Sequence, residues 1–114
     1  MYPQYVNVDV ATTRTPEETH RLFVDKLKEG DFDGAVECCF VREDWEVTKN
    51  WINKIQEQGY FEQMISDLDT KIEVEFMGDT LASYNYYAER DGKLLGSVIE
   101  FIKDSNGIWL IESL

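Results

Sequence analysis

The sequence predicts an α+β fold in which N-terminal helices pack on a curved antiparallel sheet of about four strands, a cone-like roll. Three observations carry this. Residues 15–68 show helix caps and apolar side chains at helical spacing, whereas residues 70–114 alternate apolar and polar side chains. Asp91-Gly92, a pair favoured in two-residue type I′ hairpins, sits between two of the alternating runs. Helices followed by turn-connected strands bury their apolar faces most simply as two layers. At 114 residues, 43% of them hydrophobic, the chain can build one such core. We expect a single domain over residues 15–114, preceded by a flexible arm or linker over residues 1–14.

The first helix opens at Thr15-Pro16-Glu17-Glu18. Thr15 is a good N-cap, Pro16 suits the first helical position, and Glu18 completes a capping box. The acidic pair favours the positive end of the helix dipole. His20, Phe23 and Leu27 share one stripe with Leu22 beside it, and Gly30 ends the helix just after Lys26 and Lys28. Asp31 then caps a second helix running to about Cys39, with Phe32, Ala35, Val36 and Cys39 inward. A third starts near Asp44, carries Trp45, Thr48, Trp51, Ile52 and Ile55, and stops at Gly59. Tyr60, Phe61, Met64, Ile65 and Leu68 suggest a further short helical turn against the sheet. Pieces of this length are not stable alone in water, so packing must hold them.

In Lys71 to Met77, Ile72, Val74 and Phe76 alternate with Lys71, Glu73 and Glu75, which predicts one buried and one wet face. Gly78-Asp79 turns the chain. The Asp91-Gly92 turn then fixes the register of the next two strands. Ala88 should lie opposite Leu95, Tyr86 opposite Ser97, Tyr84 opposite Ile99 and Ala82 opposite Phe101, giving a mostly apolar face. The other face pairs Tyr87 with Gly96, Asn85 with Val98, Ser83 with Glu100 and Leu81 with Ile102, and is mixed. A three-residue loop with Gly107 in the left-handed region would turn Trp109 and Ile111 of the last strand inward. A four-residue loop would invert that strand.

The formal charge of −12 argues against nucleic acid, whose phosphates need a Lys/Arg surface. The acidic excess is spread along the chain: 7 basic against 14 acidic residues up to Leu68, then 4 against 9. It therefore reads as a solvated surface or a match for a basic protein partner. No run reaches 18 apolar residues, so no membrane insertion is expected. The sequence as given reads as cytoplasmic, or as extracytoplasmic if a signal or anchor once preceded it. Cys38 and Cys39 are adjacent and can scarcely bridge each other. With His20 the only histidine, no metal site and no cofactor are expected. Asp31-Phe32-Asp33-Gly34 superficially suggests a calcium loop, but Ala35 and Arg42 stand where oxygen ligands belong, so capping explains it better. No catalytic motif of the nucleophile-elbow, phosphate-loop, dinucleotide or zinc-protease type is present.

Candidate site residues follow from the apolar stripes. His20, at the edge of the first helix's stripe, could look into a cavity, although a partly exposed structural histidine explains it as well. Phe23, Trp45, Trp51, Tyr84, Tyr86 and Trp109 could line an apolar pocket whose phenols orient a ligand, or simply fill the core. Leu81, Tyr87, Val98 and Ile102, on the mixed sheet face, are candidate interface residues.

Thr15-Pro16-Glu17-Glu18, Leu22-Phe23, Leu27 and the run Lys28-Glu29-Gly30-Asp31-Phe32-Asp33-Gly34-Ala35 together resemble the start of nuclear transport factor 2-like domains. Asn106-Gly107-Ile108-Trp109-Leu110-Ile111 is similar to their final strand. The resemblance spans residues 15–114 and implies a cone of helices under a bent sheet, often dimeric through the sheet. That superfamily holds ketosteroid isomerases and polyketide cyclases beside many non-catalytic binding domains. The isomerases' pocket Asp, Tyr and second acid have no matching set here: Ser97 and Ile99 flank the inward Tyr84 and Tyr86. That gap weighs against an enzyme, and the expected function is a non-catalytic module that binds a small apolar ligand or a protein and forms a homodimer. Two alternatives are a small isomerase, cyclase or dehydratase using His20 or a pocket acid, and an acidic inhibitor or immunity-type protein for a basic partner.

Overall fold

Four helices precede four strands in the computed structural model, which describes residues 13–114. The helices are α1 (Pro16–Lys28), α2 (Phe32–Cys39), α3 (Trp45–Glu57) and α4 (Phe61–Leu68), with a 3₁₀ turn at Arg42–Asp44 before α3. The strands β1 (Glu73–Met77), β2 (Leu81–Arg90), β3 (Lys93–Lys103) and β4 (Trp109–Ser113) form one open antiparallel sheet in sequence order. The predicted α+β class is therefore observed. The expected N-terminal arm lies outside the described residues as far as residue 12. Its last residue, Arg14, is held: it makes a parallel bridge to Ile108.

The helix boundaries follow from the predicted caps. The Thr15 hydroxyl accepts from the Glu18 N–H at 3.1 Å, and the Glu18 carboxylate accepts from the Thr15 N–H at 2.8 Å, which closes the capping box. Those bonds hold the Glu18 carboxyl below its ordinary pKa. Gly30 and Gly59 both adopt positive φ and end α1 and α3 in the same way. In each case the following N–H reaches back to a carbonyl in the last turn, Asp31 to Lys26 and Tyr60 to Ile55, both at 3.0 Å. The third helix departs from expectation: Asp44 makes no side-chain cap, because its backbone completes the 3₁₀ turn by donating to Val41.

Every pair expected across the Asp91-Gly92 hairpin is observed, from Arg90 opposite Lys93 to Leu81 opposite Ile102. Both turn residues have positive φ, as a type I′ turn requires. The last strand takes the three-residue-loop register. Gly107 sits at φ 84°, the Asp104 carboxylate accepts from the Asn106 and Ile108 N–H groups, and Trp109 and Ile111 turn inward.

The alternation expected for β1 fails. Ile72 is buried, but Val74 and Phe76 are each 56% exposed. A bulge between Val74 and Phe76 places Val74 opposite Tyr84 and Phe76 opposite Ser83, so the two side chains lie on opposite faces of the sheet. The extra residue, Glu75, breaks the period of two that the sequence displays.

The core lies between α1, α2 and the inner face of the sheet. Phe23, Val24 and Leu27 of α1 and Ala35, Val36 and Cys39 of α2 meet Tyr84 of β2, Ile99 and Phe101 of β3, and Ile111 of β4. Edge-to-face ring pairs, Phe23 with Phe40 at 5.2 Å and Tyr84 with Phe101 at 5.4 Å, add to the area term. Burial raises the Cys39 thiol to about 12, so that side chain acts as a small hydrophobe.

Candidate functional site

Beyond the core, α3, α4 and β2 diverge and leave a cleft of about 510 Å³. Its apolar walls are Trp51 and Ile55 from α3, Tyr60 at the start of α4, Met64 and Leu68 within α4, Tyr86 from β2, and Leu114. The polar groups are Gln63, Asp67 and Arg90. Helical spacing explains the α4 contribution: Tyr60, Met64 and Leu68 recur every four residues, as do Gln63 and Asp67. Strand spacing explains the β2 contribution, since Tyr86 and Arg90 lie four residues apart and so share a face.

Asp67 organises the polar side. One carboxylate oxygen accepts from Gln63 Nε2 at 2.9 Å, and the other from Arg90 Nη2. The Asp67 side chain is only 17% exposed and its guanidinium partner 47%, so the pair stands at the cleft's edge with its acid shielded and its base toward water. The contact raises the Arg90 pKa still further. A neutralised pair of this kind can orient a ligand's polar group through the guanidinium's remaining donors, while the walls exclude water.

The structure places the expected pocket residues in three different settings. Trp51 and Tyr86 line the cleft. Phe23, Tyr84 and Trp109 belong to the core, with Tyr84 only 1% exposed. Burial, with Glu17 nearby, pushes the Tyr84 phenol up to about 12, which leaves it protonated and poorly suited to proton transfer near neutrality. Trp45 is half-buried elsewhere, donating to the Phe40 carbonyl at 2.9 Å with Arg42 over its ring.

His20, expected at the edge of the first helix's stripe as a cavity residue or a partly exposed structural one, is 4% exposed. Its Nε2 lies 2.8 Å from the Leu68 carbonyl, directly behind the cleft wall. Burial is the main reason its pKa falls below the ordinary 6.5. Among the described residues no group of three His, Cys, Asp or Glu side chains could hold a metal ion.

Sequence reading did not identify Tyr60, Met64, Asp67 or Arg90 as site residues. The Asp67–Arg90 contact joins α4 to β2 across 23 positions, and no local spacing announces it. The shared faces within α4 and within β2 were the available signal.

A second surface lies on the sheet's outer side. Leu81, Tyr87 and Val98 are 49, 47 and 44% exposed, and their register puts them on one face with Ile102 and Phe76. The Tyr87 ring lies across Gly96, where an added Cβ would meet it at 3.3 Å. That glycine lets the ring lie flat on the sheet. No helix among the described residues is long and apolar enough to cross a membrane. Comparison with protein families, with characterised proteins and with solved structures finds no match to this chain.

Proposed function

We propose that this chain is a non-catalytic binding module of the nuclear transport factor 2-like kind, whose cleft takes a small, largely apolar ligand. The observation that carries the reading is the set of aromatic walls, Trp51, Tyr60 and Tyr86, around a space of about 510 Å³. That volume lies within the range of sites for drug-sized molecules. The only charged side chains among the lining residues, Asp67 and Arg90, neutralise each other, which favours an uncharged ligand with a hydrogen-bond acceptor over an ion. Asp67 is a poor candidate for a general base because both of its oxygens already accept hydrogen bonds. His20 lies behind the wall with a ring nitrogen committed to Leu68.

The test is a titration of the ¹⁵N-labelled chain with 2-acetylnaphthalene, a flat neutral ketone. Saturable shifts at the Trp51 indole and the Tyr86 amide are expected, with affinity falling about tenfold in Tyr60→Ala. Tyr60 is 64% exposed, so that variant should fold normally. Absence of saturable shifts up to the probe's solubility limit would reject the reading.

A second reading, homodimerisation through the outer sheet face, rests on the exposed Leu81, Tyr87, Val98 and Phe76. Contiguous exposed apolar side chains on one face mark interaction surfaces. Sedimentation equilibrium should give twice the chain mass, reverting to monomer in Val98→Lys. A monomer at millimolar concentration would remove this reading.

A further inference from the structure

We infer that the free edge of β1 is a strand-addition site for an extended, cationic segment of another protein, one in which Lys or Arg alternate with apolar residues. The inference starts from the unequal treatment of the sheet's two edges. The chain itself closes the β4 edge: Arg14 bridges Ile108, Phe40 bridges Ile111, and the Trp109 N–H donates to the Arg14 carbonyl at 3.0 Å. Among the described residues nothing comparable reaches β1, so its outward N–H and C=O groups face solvent. An open row of this kind is a template for another strand.

Neither face of β1 is sheltered. Val74 and Met77 register with the buried Tyr84 and Ala82, so they lie on the helix side of the sheet, yet they remain 56 and 50% exposed. The helices pack on β2 and β4, leaving β1 to overhang the helical layer. Phe76, on the opposite face, is equally exposed. An added strand would therefore find apolar side chains above and below its own plane as well as backbone partners.

Charge selects the occupant. Asp67 and Asp69, just before the strand, are each paired with a cation. Glu73, Glu75 and Asp79 make no ion pair among the described residues, and Lys71 is the stretch's one cation. A second copy pairing antiparallel along β1 would set these carboxylates against their own counterparts, which is destabilising, on top of the −12 carried by each chain. A strand with Lys or Arg at alternate positions converts the same contacts into attractions. The acids thus oppose self-pairing, the usual hazard of an open edge, while leaving it receptive to the opposite charge.

The test titrates the full ¹⁵N-labelled chain with two capped heptapeptides, Thr-Lys-Val-Lys-Val-Lys-Thr and its counterpart with Glu in place of Lys. The lysine peptide should shift the amides of residues 73–77, bind at least tenfold tighter than the glutamate peptide, and weaken about tenfold from low to physiological salt. In the double variant Glu73→Lys/Glu75→Lys the preference should reverse. Both side chains are exposed, and unchanged β3 and β4 amides would certify the fold. Lysine-peptide shifts scattered over the acidic surface without residues 73–77, or a double variant with the original preference, would overturn the inference. So would concentration-dependent shifts at 73–77 that persist in Val98→Lys, where the outer face is blocked, because they would assign the edge itself to a second copy.

Discussion

The β4 side and the β1 side of the sheet are built from similar apolar strands and meet opposite fates. Trp109 and Ile111 of β4 are at most 8% exposed, whereas Val74, Phe76 and Met77 of β1 are all 50% exposed or more. Composition does not separate them. The difference lies in where the helical half delivers its connecting backbone: Arg14 before α1 and Phe40 after α2 both land on β4. The Arg14 side chain then donates from Nε to the Thr19 hydroxyl at 2.9 Å and from Nη2 to the Cys38 carbonyl, while Thr19 donates to the Trp109 carbonyl. One side of the sheet is closed by a satisfied polar node; the other keeps an edge strand that no described residue covers.

The contrast is broken most forcefully by truncating one phenylalanine on each side. Phe101 is 1% exposed and stacks edge-on against Tyr84; Phe76 is 56% exposed. Phe101→Ala should cost about 3–5 kcal/mol in chemical denaturation, the range for emptying a packed aromatic site. Phe76→Ala should stay within about 0.5 kcal/mol, as surface substitutions do. Comparable losses in the two variants would show that β1 is sheltered after all.

A smaller effect tests the polar node. Thr19→Val keeps the side-chain shape but removes the hydroxyl that joins Arg14 to the Trp109 carbonyl. Thr19 is fully buried, so the carbonyl loses its side-chain donor where water cannot replace it. A loss of about 1–3 kcal/mol is expected, read from the denaturation midpoint at constant slope. If the β4 edge were held by apolar packing alone, this variant would match the wild type.

The same contrast explains how much was legible in the sequence. Local signals were reliable where one structural rule acts within a few residues. The Thr15–Glu18 box, Gly30, Gly59 and the Asp91-Gly92 register all behave as their chemistry dictates. The β1 faces were misread because a bulge inserts one residue without leaving any mark in the alternation of Ile72, Val74 and Phe76. The cleft was half legible. Trp51 and Tyr86 stood out as aromatics at periodic positions, but Asp67 and Arg90 acquire their role only when α4 packs beside β2. His20 was placed at an edge by its helical position, and the Leu68 carbonyl that buries it arrives from 48 residues away.

Capping gives the next effect in size. Thr15→Ala removes the acceptor for the Glu18 N–H at the start of α1, the helix that sends Phe23, Val24 and Leu27 into the core. A loss of about 1 kcal/mol is expected from thermal or denaturant unfolding. Thr15→Ser, which keeps the hydroxyl, should recover nearly all of it. Equal losses in both variants would point to packing of the threonine methyl rather than to the cap.

The smallest and most diagnostic effect concerns His20, which sits where the closed side meets the cleft. Burial lowers its pKa from 6.5, and the positive charge of Arg21 works in the same direction; the Leu68 carbonyl and Asp69 oppose the fall but do not cancel it. Because the folded pKa lies below the unfolded one, the unfolded chain binds more protons between the two values. The contribution of His20 to stability is therefore complete above about 6.5 and is lost as pH falls through that value toward the folded pKa. Denaturation free energies measured from pH 8 downward should begin to decline near pH 6.5, before the carboxylates protonate. In His20→Gln, whose amide can still donate to Leu68, that early decline should disappear even if overall stability is lower. A wild-type profile flat down to pH 5 would mean that water reaches the imidazole through the cleft wall, and the boundary between the closed and open halves would then have to be drawn on the other side of His20.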